Sequence, residues 1–358
     1  MGESISLSER QLEIIKILNI NQVLLTTELL AKLNEINPKR LSQITLTRDL
    51  KPLVDEGYIE RKGKGRAVRY QLSIRGALLG PMDIDAYFVD DPDQRQIYKR
   101  FNFDLFEQIR KTSIFSDSEM DFLNQLNREF HNQKIELSPT LIKKEFERVT
   151  IELSWKSSAI EGNTYSLLET ETLLKEGIEA KGKKSEEAKM LLNHKAALEF
   201  LREHATEFFP LSLPYIEKVH SILISGLGVS KNLRKTLVGI TGTDYRPLDN
   251  QFQIREAIEK SCQVINSKKD CFTRAILAIL LISYIQPFED GNKRSGRIIG
   301  NALLLADEAF PLSFRSVDET EYKKAILLFY ERNNMAAFKK IFIEQSEFAV
   351  KNYFRSKN

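Results

Sequence analysis

The sequence predicts a mainly α protein with a small β component, and three observations carry that prediction. Apolar residues recur three and four apart over much of the chain, as in Leu12, Ile15 and Leu18 with Ile14 beside them, which is the period of a helix with one buried face. Arg274 to Ile285 is an apolar run too short to span a membrane but long enough for a buried helix. Strand-prone residues cluster around glycine turns only near 58–72 and 235–248. The 358 residues give room for about two or three domains, and the composition is that of an ordinary soluble globular protein. The net charge of +3 is unevenly spread: residues 1–75 hold 13 Lys/Arg against 9 Asp/Glu, about +4, so the rest is near neutral. A basic excess in one small region points to an anionic polymer as partner. No signal-peptide pattern and no membrane-length apolar run is visible, so a cytoplasmic protein with no membrane partner is expected. Cys262 and Cys271 lack partners at metal-ligand spacing and read as core thiols.

In chain order, Ser8 offers an N-cap to a helix over Glu9–Leu18. Helices over Thr26–Leu33 and Leu41–Glu56 follow, then two short strands around a basic, glycine-rich loop between Glu60 and Leu72. Three helices followed by a hairpin, with Ser42 to Leu50 leading to Asp55-Glu56-Gly57-Tyr58-Ile59, resemble a winged helix-turn-helix module, assigned to residues 1–78. The resemblance implies DNA as partner. Gln43, Thr45, Thr47, Arg48 and Lys51 would face a major groove, and Lys62, Lys64 and Arg66 would meet phosphates. Such modules also serve as docking or dimerisation surfaces, and Asp49, Asp55, Glu56 and Glu60 dilute the positive field. A homodimer therefore stays open.

Residues 79–140 read as a helical connector, with turns at Gly80-Pro81 and Asp90-Asp91-Pro92-Asp93 and amphipathic helices over Tyr98–Thr112 and Ser118–Phe130. A long helix follows, marked by Leu141, Ile142, Phe146, Val149 and Leu153. It runs to Gly162, a natural helix end. Ser157 and Glu161, four apart, share one of its faces.

The densest signal lies between Tyr284 and Asn301. Pro287 disfavours helix in the residue before it, so the preceding helix should stop near Gln286. Gly291 frees the turn, and Asn292 to Arg294 open the next helix, whose first N–H groups and dipole favour an anion. Arg294 and Arg297 share a face, and Asp290 could hold a hard divalent cation. The residues read as a cradle for a magnesium-bound phosphate.

Gln-Pro-Phe-Glu-Asp-Gly-Asn-Lys-Arg-Ser-Gly-Arg over 286–297 resembles the signature of the Fic (Fido) family, in which the first position is a catalytic histidine. Ser157 to Gly162 resembles that family's inhibitory motif, and Lys235–Leu248 its β-hairpin flap. The resemblance implies an all-helical Fic core over 141–310 that includes the inhibitory helix, followed by C-terminal helices over 311–358. It implies ATP and Mg²⁺ as cofactors, with Asp290 on the metal. Gly291, Asn292, Lys293, Arg294 and Arg297 would bind the nucleotide, the Asn292 side chain and the backbone from Gly291 to Lys293 forming the phosphate cradle. Ser157 and Glu161 would be inhibitory. Val238, Gly239, Ile240 and Thr241 would pair with a target segment. The implied reaction transfers AMP to a hydroxyl of a target protein. Gln286 cannot accept that hydroxyl's proton at neutral pH, so transfer is expected to be impaired unless another base, such as Glu289, substitutes. The alternative is a nucleotide-sensing, DNA-binding transcriptional regulator without turnover. A lesser reading is removal of AMP from a modified protein, which would need the same histidine.

Overall fold

The computed structural model describes residues 7–355 except positions 22 and 38. Helices α1 (Glu9–Asn21), α2 (Thr26–Ile36) and α3 (Gln43–Asp55) pack on a sheet of three short strands, β1 (Val23–Leu25), β2 (Ile59–Lys62) and β3 (Arg69–Leu72). The strands are antiparallel in the order β1-β3-β2, with Leu24 opposite Tyr70 and Arg61 opposite the same residue on the other side. Ser8 caps α1: its hydroxyl accepts from the Gln11 amide while the Gln11 side chain accepts from its own N–H. This N-terminal unit has its own core, built on Ile14, Leu18, Leu29, Leu46, Leu50 and Ile59. The expected strands around the basic loop are present; β1, only three residues long, was not foreseen.

The remaining helices build a second, larger core. They are α4 (Ile74–Leu79), α5 (Ile84–Tyr87), α6 (Leu105–Arg110), α7 (Asp117–Ile135), α8 (Pro139–Ile160), α9 (Leu167–Glu176), α10 (Ser185–His204), α11 (Leu213–Leu223), α12 (Gln251–Asn266), α13 (Cys271–Ile285), α14 (Asn292–Ala306), α15 (Glu319–Arg332) and α16 (Ala336–Asn352). Every residue of α13 is buried, as its unbroken apolar sequence requires. α14 lies close along it because a Cβ at Gly300 would sit only 2.8 Å from Cγ1 of Ile279. Cys262 and Cys271 are free and buried, and burial lifts both thiols to about 12. Asn334 Nδ2 fastens the end of α4 to this core through the carbonyls of Ala77 and Gly80, at 3.1 and 2.8 Å, and the two units meet where Arg332 reaches Asn19 Oδ1 at 2.5 Å. No described helix is long and apolar enough to cross a membrane.

Two expectations are corrected. The helix predicted over Tyr98–Thr112 forms only at Leu105–Arg110. Upstream of it the aromatic residues fill the core from irregular chain: Phe101 stacks on Tyr284 with centroids 4.7 Å apart, and the Asn102 N–H donates to the Tyr284 hydroxyl. The predicted hairpin flap over Lys235–Leu248 contains no strand pair, and its only ladder contact is an isolated bridge between Arg100 and Arg246. Its carbonyls have other partners. The buried Arg234 guanidinium takes those of Thr236 and Leu248, and Arg95 takes that of Gly242. Three carbonyls of the segment are thus held by guanidinium groups from outside it, which fixes an irregular course.

Candidate functional site

α13 ends because Gln286 adopts a left-handed conformation (φ 52°, ψ 59°) ahead of Pro287. A second left-handed residue, Gly291 (φ 81°), is the N-cap of α14. A Cβ there would press on Ile224 and His220, at 3.2 and 3.4 Å, so both space and backbone angle require glycine. The six residues between the helices are held from below by Arg234. Its Nε donates to the Gln286 carbonyl at 2.5 Å, and Nη2 reaches the Ile285 carbonyl at 3.4 Å. A cation on the last carbonyls of α13 also complements that helix's dipole. His220 lies flat against Phe288, with centroids 3.6 Å apart, and its Nε2 is 3.0 Å from the Asp290 carbonyl. Burial and the Arg294 charge lower its pKa to about 4 despite that hydrogen bond, so it is a neutral packing residue and not a base.

Above this loop opens a cleft of about 500 Å³ lined by Glu161, Val238 to Thr241, Gln286, Glu289 to Arg294, Tyr322, Ile326 and Tyr330, among others. That volume suits a small organic ligand. The first amide groups of α14 have no carbonyl within the helix to pair with, so this wall favours negative charge. Ser157 and Glu161, at the end of α8, come up from behind. Arg297 is fully buried; its Nε donates to Ser157 Oγ at 2.8 Å, one Nη to the Ser157 carbonyl at 2.9 Å, and the same Nη to Glu161 Oε1 at 2.8 Å. The other Nη reaches the Tyr322 hydroxyl at 3.3 Å. The second Glu161 oxygen accepts from Lys293 Nζ at 2.7 Å. Burial would raise the Glu161 pKa, but Arg297 and Lys293 outweigh it and hold the carboxyl at about 2.

Two of the expected nucleotide-binding side chains are already engaged. Asn292, on the cleft wall, is bonded within the loop. Its Oδ1 accepts from the Phe288 N–H at 2.8 Å, and its Nδ2 donates to Gln286 Oε1 and the Phe288 carbonyl, at 2.9 and 2.8 Å. An asparagine four residues after a turn start closes that turn on itself more readily than it waits for a ligand. Arg294 is also engaged: Nη2 pairs with Asp290 Oδ2 at 2.9 Å, and its side chain is 1% exposed. The Gln286 amide is tied at both ends, since Nε2 also donates to the Ser283 carbonyl at 2.7 Å and to the Tyr330 hydroxyl at 3.3 Å.

Among the described residues no group of three or more His, Cys, Asp or Glu side chains could hold a metal. Asp290, its side chain 62% exposed, is the one carboxylate of the loop held in fixed bonds, to Arg294 and to the Gly291 N–H. A single carboxylate fits a magnesium ion that takes its other ligands from phosphates and water, and does not fit an all-protein metal site. Val238, Gly239, Ile240 and Thr241 do line the cleft, although not as a strand. The N-terminal candidates lie elsewhere: Gln43, Thr47, Arg48, Lys51, Lys62, Lys64 and Arg66 are exposed and Thr45 half-buried, while Asp49 is buried against Arg10 Nε at 2.8 Å.

Residues 210–304, which include the loop and all of α14 but its last two residues, match the model of the Fic/DOC family. The chain carries a Fic domain. The matched span leaves out Glu161 on one side and Tyr322 on the other. The protein adenylyltransferase fic-1 of Caenorhabditis elegans is 24% identical over 201 residues, covering 54% of this chain and 39% of that protein. Its Caenorhabditis briggsae counterpart is 25% identical over 202 residues. The chain thus spans 39% of the length of these curated relatives. In fold it is similar to Fic-1 from C. elegans, with a TM-score of 0.58 at 18% identity over 70% of this chain and 80% of that one. It is also similar to a Fic domain containing signaling protein from Bacteroides thetaiotaomicron, with a TM-score of 0.55 at 19% identity over 66% of this chain and 100% of that one.

Around the Fic domain, sequence reasoning missed Arg234, Tyr322 and Tyr330. Arg234 sits in the run Lys231-Asn232-Leu233-Arg234-Lys235 and has the look of surface charge. Tyr322, Ile326 and Tyr330 are spaced four apart on α15, so one face of that helix lines the cleft. That spacing was the available signal.

Proposed function

We propose that the cleft binds ATP and that Glu161 keeps it closed to the nucleotide's terminal phosphate. The observation that carries this is the Glu161 carboxylate bridging Arg297 and Lys293, at 2.8 and 2.7 Å, beside the N-terminus of α14, whose first turn holds no acidic residue. A carboxylate there satisfies the same cations a phosphate would use. The inner phosphates would rest on the first N–H groups of α14. Asp290 would hold Mg²⁺, which would neutralise charge between phosphate oxygens. For that, its carboxylate must turn from Arg294, which its exposure permits.

The curated relatives are named protein adenylyltransferases, which supports transfer of AMP to a protein hydroxyl as the ancestral chemistry. In this chain Gln286 can orient such a hydroxyl but cannot take its proton. General-base catalysis typically contributes about 10²–10⁴-fold, so transfer is slower by roughly that factor. The test is labelling with ATP carrying ³²P at the α position, on the chain as given, Glu161→Gly, Gln286→His and the double variant. Label confined to the variants with histidine supports a binding protein that has lost its base. Label in Glu161→Gly alone points to another base, such as Glu289. Absence of label throughout removes the enzymatic reading.

A second reading, regulation through DNA, is favoured by the charge arrangement of the N-terminal unit. Asp49, the acid within the groove-facing helix of a winged helix-turn-helix reading, is neutralised by Arg10. Lys62 at the end of β2, though paired with Glu60 at 3.2 Å, and Lys64 and Arg66 on the loop between β2 and β3 stand exposed. Duplex binding whose affinity falls steeply with salt would support it, and salt-independent or absent binding would refute it.

A further inference from the structure

We infer that Lys293 is the residue by which this cleft distinguishes a triphosphate from a diphosphate. The inference rests on the nucleotide reading above and assigns the Lys293 side chain a task separate from the backbone amide beside it. Of the three cations contributed by the first turns of α14, two have limited reach. Arg294 is 1% exposed and paired to Asp290 on the preceding loop. Arg297 is fully buried behind Glu161, with Ser157 taking two of its bonds. Lys293, its side chain 34% exposed, lies on the cleft wall and bonds the Glu161 oxygen that Arg297 does not.

The two oxygens of one carboxylate are thus shared between two cations four apart on α14, Oε1 to Arg297 and Oε2 to Lys293. A terminal phosphoryl group carries oxygens at a similar spacing and more charge, so it can take both bonds at once when the carboxylate is gone. A diphosphate held with its inner phosphates on the helix N-terminus ends one phosphoryl short of that position. Arg297 is anchored by Ser157 and Tyr322 whatever the ligand does. Lys293 has Glu161 as its only hydrogen-bonding partner among the described residues. Its ammonium is therefore the group whose free energy changes most between a diphosphate and a triphosphate.

The experiment compares binding of ATP, ADP and AMP by calorimetry, with Mg²⁺, to Glu161→Gly, Glu161→Gly/Lys293→Ala and Glu161→Gly/Lys293→Arg, each in the full chain. Glu161→Gly should prefer ATP to ADP by about 10-fold or more, as expected for one charge-assisted hydrogen bond. Lys293→Ala should lower that ratio about 10-fold, the Arg297 bond remaining, while leaving ADP affinity within about threefold, which also shows that the variant is folded. Lys293→Arg should retain the preference. An ATP/ADP ratio unchanged by Lys293→Ala overturns the inference and leaves the nucleotide reading standing. Failure of Glu161→Gly to bind any of the three nucleotides overturns both.

Discussion

Removing the Glu161 charge tests the lock most directly. The carboxyl is held at about 2 instead of an ordinary 4.5, and each unit corresponds to about 1.36 kcal/mol, so the carboxylate is favoured in this site by about 3 kcal/mol. A ligand that must displace it forgoes a comparable amount. Glu161→Gln, which keeps the shape and removes the charge, should therefore bind ATP about 10²-fold more tightly than the unaltered chain in calorimetry. The same change leaves Arg297 buried without its anion, a loss of about 3–5 kcal/mol when one partner of a buried pair is removed. The lower end is expected, because Ser157 and Tyr322 still accept from it. Without nucleotide the variant should melt several degrees lower, and saturating ATP should recover most of the difference. Equal ATP affinity in the two proteins, both folded by circular dichroism, would refute the competition argument.

Other consequences are accessible to simple measurements. Because the folded-state pKa of Glu161 is depressed, the stability it contributes is complete above about 4.5 and is lost as pH falls towards 2. The ratio of ATP affinities between Glu161→Gln and the unaltered chain should accordingly stay flat from pH 5 to 8 in calorimetric titrations. Gly300→Ala should cost about 1–3 kcal/mol in denaturant unfolding, since its Cβ would stand 2.8 Å from Ile279. Arg234→Met should cost about 3 kcal/mol or more in the same assay, as it strips the carbonyls of Gln286, Thr236 and Leu248 of their donor. If the N-terminal unit binds duplex DNA, Lys64→Ala should reduce the slope of log affinity against log salt by about one, read by fluorescence anisotropy.

The loop between α13 and α14 was legible because its helix ends are set by residues with few options: a proline after Gln286 and a glycine that must take positive φ. Glu161 stood out through the resemblance of Ser157 to Gly162 to an inhibitory motif, and its four-residue spacing from Ser157 placed the two on one face. Asn292 was not legible, since a sequence names an amide without saying whether it closes its own turn or waits for a ligand. Lys235–Leu248 carries a glycine turn between β-prone residues, yet the decision lay with Arg234 and Arg95, which claim its carbonyls from outside the segment. The aromatic residues before Leu105 fit a helical period but are buried from irregular chain. Periodicity reports that side chains are buried more reliably than it reports the backbone that carries them.

The Gln286 amide bears on how readily this loop could regain a proton acceptor. It makes three bonds with two donors and one acceptor, to Ser283, Tyr330 and Asn292. A neutral imidazole has one donor and one acceptor, so at least one of those three neighbours must be released when histidine stands there. Restoring the base is thus also a rewiring: the ring gains a chemical task, and the end of α13 loses a fastening. Full recovery would call for a second change, at Tyr330 or Asn292, the two partners bonded through side chains.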